Sequence, residues 1–534
     1  VDILATGAAS SPRKPASTTT HGKAPLRSDP GFDSAHKMQA AVTAESAARQ
    51  RQGELGQFLT PAAVADFMAS LFAPLPKVVR LLDAGAGAGS LTSALVSSLC
   101  AEPGRVDSIE ATLFEIDPLM HEALTRTMTD CKRVCDQAGV HFGFTIHETD
   151  FIHEMSARLA GDLFGAKPPA FDAAIVNPPY RKIGIDSAER RSLRQVGVET
   201  SNLYAGFIAL IQRLLVPGGQ LVAITPRSFC NGPYFRPFRT DLLANLELYR
   251  IHVFESRQAA FRGDNVLQEN IIFHAAKGRQ QPRTITISSS SGENGDVIAE
   301  RTVPFSEVVH RTDAEQFIHI PSASTRAISM KTMEGLHTSL ASLGLSVSTG
   351  PVVDFRLKES IRQEPEKGTV PLLYPCHFNG GSVHWPKHDG RKPNAILDTT
   401  ETRRWLVKSG VYLLTKRFTS KEERRRLVAC MFNPQDMDID SEWLGIENHL
   451  NYFHNDGHGL EKGLALGLFA FLNSTLIDQY FRQFSGHTQV NATDLRKLPY
   501  PDRATLQAMG LEMTLLNLAQ EEIDELVERH LNAR

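Results

Sequence analysis

Short apolar runs, each stopped abruptly by acidic, glycine-rich or proline-rich residues, organise the first half of the chain. Residues 78–82 run into Asp83, 111–114 into Glu115, 142–147 into Thr149-Asp150, and 171–176 into Asn177-Pro178-Pro179-Tyr180. Apolar runs of this length between turn residues predict buried parallel strands. Further strands are expected over 220–225 and 246–253, with another ending near Phe273. Helical stretches separate them. Thr60 as N-cap with Pro61 at the first helical position opens one, with Val64, Phe67, Met68 and Leu71 on one face. Others follow the glycines at 85–89, the turn at Asp117-Pro118, and position 202, the last closed by Pro217-Gly218-Gly219. Strand and helix alternating in this way predict an α/β fold, with any ligand crevice at the carboxyl edge of the sheet.

Outside this region the pattern changes. Residues 1–35, rich in Ser, Thr, Pro, Ala and Gly, are expected to be a disordered tail, with a helix near 37–51. A catalytic domain over 36–280 is followed by a polar, Ser/Gly-rich connection or hairpin over 281–334 and a second domain over 335–534. The length of 534 residues requires more than one core. The composition, 42% hydrophobic and 22% charged, is that of a globular protein, and the net charge of −3 leaves room for a local basic face. Six cysteines without CxxC spacing favour free thiols in a reducing cytoplasm over zinc or a disulfide framework. No segment approaches the apolar length of a membrane span.

The residues at the strand ends define the chemistry. Gly85, Gly87 and Gly89 between a strand and a helix allow close backbone approach to a ligand at the helix N-terminus. Asp83 departs from a simple phosphate cradle and suits a ligand with a positive amino group. Glu115, some two dozen positions on, fits a carboxylate accepting ribose hydroxyls, whereas Asp117 fits a helix cap. Asn177 and two prolines without N–H groups leave several oxygens as acceptors beside the Tyr180 ring. Acceptors next to an aromatic face suit a planar substrate with an exocyclic amino group.

Asn177-Pro178-Pro179-Tyr180 after a hydrophobic strand resembles the catalytic motif of S-adenosylmethionine-dependent amino-group methyltransferases, above all the adenine-N6 DNA methyltransferases. The order of the segments resembles the gamma class, typified by type II restriction-modification enzymes, strongly over about residues 50–280 and loosely beyond. The resemblance implies a Rossmann-like sheet followed by a C-terminal α+β target-recognition domain, with duplex DNA as partner. It also implies functional pairing with a restriction endonuclease without a stable complex. Asn177 and Pro178, backed by Pro179, would hold the amino group of an extruded adenine, sandwiched between Tyr180 and Phe261. The segment at Thr60 would close over the methionine end of S-adenosylmethionine and Asp83 would face its amino group. Glu115 would take the ribose, Asp150 the adenine amino group and Phe151 the adenine ring. A core role for Phe261 competes with this reading.

Arg181, Lys182, Arg190, Arg191 and Arg194 suit phosphate contacts, as do the six Lys or Arg of residues 413–426 with His384, Trp385, His388 and Arg391. Solvated helix faces explain such runs nearly as well. His449, His454 and His458 lack metal-ligand spacing, and no metal is expected. A protein-glutamine or RNA methyltransferase shares the same core but offers no reason for some 200 residues after it. An intact Asn-Pro-Pro-Tyr argues against a non-catalytic DNA specificity subunit.

Overall fold

The computed structural model describes residues 60–161, 168–254, 269–290, 299–310, 313–321, 333, 336–388, 390–419, 423–437, 439–484, 489–513, 516 and 518–532. The expected tail, the helix near 37–51 and Phe261 lie outside the described residues.

Nine strands form one sheet: β1 (Val78–Ala84), β2 (Ser108–Phe114), β3 (His141–His147), β4 (Phe171–Val176), β5 (Leu215–Pro226), β6 (Leu246–Phe254), β7 (Asn270–Lys277), β8 (Thr284–Ser290) and β9 (Ala299–Pro304). Their order is β3-β2-β1-β4-β5-β7-β6-β8-β9. Only β7 and β9 run against the rest. The chain winds outward from β1 to β3, then returns to place β4 on the other flank of β1. That reversal lies between β1 and β4, where open α/β sheets leave a crevice. Ala84, Phe114 and His147 are in register, and Leu82 pairs with Ala174, so the first four strands end at one level.

Helices cover both faces because the central strands are apolar on both sides, and β4 is buried throughout. One core joins the sheet to α1 (Ala62–Ser70), α2 (Ser90–Cys100) and α3 (Pro118–Ala138). The opposite core holds α4 (Phe151–Ala160), α6 (Leu203–Leu214) and α7 (Arg236–Asn245), with the short α5 (Ala188–Gln195) packed through Leu193.

Three sequence expectations are corrected. Thr60 does not cap α1; Pro61 is the N-cap and no side chain bonds the helix end. Pro217-Gly218-Gly219 does not end the helix at 203–214 but lies inside β5, where the register against β4 shifts. A Cβ at Gly219 would lie 2.9 Å from the Phe171 carbonyl oxygen, so the irregularity needs glycine there. Arg425 and Arg426 of the basic run do not face solvent as a DNA surface. Arg426 is 1% exposed, and Arg425 donates to the Ser474 carbonyl and Gln520. The segment expected to connect the domains contributes β8 and β9 to the sheet, in the hairpin form.

The C-terminal region has its own core and two small sheets, of six and five strands. Residues 346–349 form a strand paired with Leu450–His454. Helices α8 (Lys462–Leu472), α9 (Thr475–Phe484) and α10 (Arg503–Glu512) pack on it. Helices α8 and α10 touch backbone to backbone, since a Cβ at Gly467 would lie 1.8 Å from the Leu506 carbonyl oxygen. Gly467→Ala is therefore expected to destabilise this region by about 1–3 kcal/mol, measured as an earlier unfolding transition. No single helix among the described residues is long and apolar enough to cross a membrane.

Candidate active site

A cavity opens at the level where β1, β2, β3 and β4 end. Its walls include Thr60, the turn Gly85-Ala86-Gly87, Glu115, Asp150, Phe151, Asn177 and Pro179. Residues scattered over more than a hundred positions thus meet at one edge of the sheet.

The turn after β1 is held open by backbone bonds: the Gly85 and Ala86 N–H groups both donate to the Phe114 carbonyl at 2.9 Å. Gly85, Gly87 and Gly89 have φ of 80°, 56° and 83°, a region in which side chains are strained. Gly89 is not a cavity wall. It starts α2, and a Cβ there would meet Leu124 and Met128 of α3 at 2.9 Å, so it serves helix packing.

The carboxylates are fixed before any ligand arrives. Glu115 accepts from the N–H groups of Gly87 and Asp117, each at 2.7 Å. This ties the acidic strand end to the glycine turn, while burial pushes its carboxyl pKa up against those bonds. Asp83, 1% exposed, lies beneath the turn and does not line the cavity. Thr92 donates to its Oδ2 at 2.7 Å, and its Oδ1 is buried with no partner. Burial outweighs the Thr92 bond and carries its pKa to about 7. Asp117 caps α3 and Asp150 caps α4, accepting from His153 N–H at 2.8 Å.

Apolar walls complete the space. The Phe151 ring lies 5.1 Å from Phe114 and 5.0 Å from Phe207, closing the floor. Ile116, half exposed, and Met120 and Leu91 also face the cavity. These three escaped the sequence reading; the position of Ile116 directly after Glu115 was the available signal.

At the end of β4, Asn177 is held at both ends of its amide. Its Nδ2 donates to Thr60 Oγ1 at 3.0 Å, and its Oδ1 accepts from the Tyr180 hydroxyl at 2.8 Å. Tyr180 packs edge-on to Tyr204 at 6.2 Å, and Tyr204 bonds Ser228 at 3.0 Å. Burial raises the Tyr180 pKa far above its usual value, so the phenol stays a neutral donor. The basic residues beside the motif are engaged locally: Arg181 pairs with Glu189, and both Arg190 and Arg194 pair with Glu199. Among the described residues no cluster of His, Cys, Asp or Glu has the form of a metal site.

Residues 129–261 match the family described as Eco57I restriction-modification methylase. The chain is 43% identical over 480 residues to the type II methyltransferase M.PstI of Providencia stuartii, covering 90% of this chain and 93% of that protein. The chain belongs to the type II methyltransferases of restriction-modification systems. A second member, M.BsuBI of Bacillus subtilis, is 43% identical over 488 residues, covering 90% of this chain and 95% of that one. The fold is similar to that of a cryo-EM structure of a DrdV–DNA complex, with a TM-score of 0.50 at 11% identity over 93% of this chain and 61% of the other.

A type II methyltransferase of this kind is a DNA methyltransferase, which sets aside the protein-glutamine, RNA and non-catalytic readings. The resemblance drawn from the sequence implies S-adenosylmethionine as the methyl donor of this methyltransferase. The cavity fits that cofactor. The glycine turn admits close backbone approach, and Glu115, Asp150 and Phe151 line the wall beside it.

Proposed function

We propose that the protein is a gamma-class enzyme that methylates the N6 amino group of an adenine extruded from duplex DNA at a specific sequence. The observation that carries this reading is the Asn177 amide, anchored at the end of β4 with its acceptor oxygen facing the Tyr180 hydroxyl beside the cavity. Bound S-adenosylmethionine supplies an electrophilic methyl group on a sulfonium. The chain's own part is to bind, orient and exclude water. An adenine amino lone pair is delocalised into the ring. Acceptance of its two hydrogens by Asn177 Oδ1 and the Pro178 carbonyl turns that lone pair out of the ring plane, toward in-line attack. The face of Tyr180 supports the base once it has left the stack, with Phe261 as the expected second face. In this reading Glu115 holds the ribose, Asp150 the adenine amino group and Phe151 the adenine ring. The C-terminal α+β region reads the target, and a restriction endonuclease acts on the same sequence without forming a stable complex.

Incubation with duplex DNA and labelled cofactor, followed by nucleoside analysis, tests the assignment: N6-methyladenine is expected. N4-methylcytosine would overturn the choice of base.

Asp83 provides a separate check. Its carboxyl is largely protonated below about pH 7 in the free protein. A cationic ammonium group nearby favours the ionised form, so binding releases a proton and affinity rises with pH until the free site is ionised. S-adenosylmethionine should bind about tenfold more weakly near pH 6 than near pH 8, and Asp83→Asn should flatten the profile. A wild-type profile as flat as the variant's would remove Asp83 from the cofactor's surroundings.

A further inference from the structure

A side-chain amide has one acceptor end and one donor end, and only the acceptor end can receive an amino group. Some partner must therefore favour the useful orientation of Asn177. Thr60 is 117 positions away in sequence, 3% exposed, and its Oγ1 receives Asn177 Nδ2 at 3.0 Å. It stands one residue before the N-cap Pro61, α1 begins without any side-chain cap, and the hydroxyl is turned to Asn177. The platform beneath it is fixed. Helix α1 is buried through Val64, Ala65, Met68 and Ala69, and the chain beyond it is clamped to β5 by Ala73 and Gln220, with bonds of 2.9 and 3.2 Å.

We propose that Thr60 is a positioning residue for the transfer step, acting through Asn177. The inference rests on the amino-group reading of Asn177 given above. With an amino group at Oδ1, the opposite orientation of the amide would set two NH2 groups face to face. The Thr60 hydroxyl gives Nδ2 an acceptor in the productive orientation. Without it, a part-buried donor loses this acceptor, and the amide loses a bond that separates its two orientations. The Tyr180 hydroxyl bonds Oδ1 at 2.8 Å, at the acceptor end of the amide.

The test compares Thr60→Val, which keeps the shape and removes the hydroxyl, with Thr60→Ser, which keeps the hydroxyl. Thr60→Val is expected to lower kcat at saturating DNA and cofactor about tenfold, with the Kd for S-adenosylmethionine unchanged. Thr60→Ser should restore most of the rate. In an Asn177→Asp background, single-turnover transfer should respond less to Thr60→Val, because a carboxylate has no donor end to place. A raised Kd with unchanged kcat would make Thr60 a cofactor contact and overturn the proposal, as would an equal loss in the Asn177→Asp background. The amino-group reading fails separately, by full activity of Asn177→Ala.

Discussion

Asn177→Ala is expected to reduce kcat for methyl transfer by about 10²–10³-fold while leaving S-adenosylmethionine and DNA binding nearly intact. The size follows from removing one preorganised electrostatic partner of the reacting group. The selectivity for kcat follows because that partner acts most strongly as the amino nitrogen becomes tetrahedral. The Thr60 and Tyr180 bonds are made at the Asn177 amide, so truncation to Ala removes them while the buried β4 stays in place. Steady-state kinetics and a gel-shift assay on the same preparations separate the two effects. Loss of DNA binding in parallel with activity would move Asn177 from chemistry to recognition.

Arg227→Met should have the largest effect on stability. Arg227 begins the 3-10 turn after β5, is 5% exposed, and pairs with Glu269, 4% exposed, at 2.9 Å. Its Nη2 also donates to the carbonyls of Arg482 and Gln483 in α9, at 3.0 and 2.5 Å. Removing one partner of a buried pair leaves the other charge in a poorly solvated place, a loss of about 3–5 kcal/mol. The midpoint of chemical unfolding should fall accordingly, and Arg227→Met with Glu269→Gln should recover part of it. An unchanged midpoint in the single variant would show that water replaces the guanidinium without penalty.

The catalytic half was legible because its central strands, β4 above all, are buried on both faces and read as apolar runs. Each run also stops at a residue with evident chemistry. Asp83, Glu115, Asp150 and Asn177 fall on one sheet edge because the strands are parallel and in register. What stayed hidden depended on contacts distant in sequence. The Thr60 hydroxyl looked like a helix cap because local pattern cannot show a partner 117 residues away. Arg426 looked like part of a basic face, yet it is buried, with its ring-stacking partner Phe481 and its N–H bond to Asp478 contributed by α9. β8 was obscured by its serines, since only Ile285, Ile287 and Ser288 of it are buried.

The joint at Arg227 bears on how such enzymes diversify. Its guanidinium meets the other half of the molecule at two main-chain oxygens, those of residues 482 and 483. Every amino acid supplies that oxygen. These bonds do not depend on which side chains stand at 482 and 483, so under the function proposed above, sequence changes in the target-reading half leave this joint to the methyl-transfer half in place.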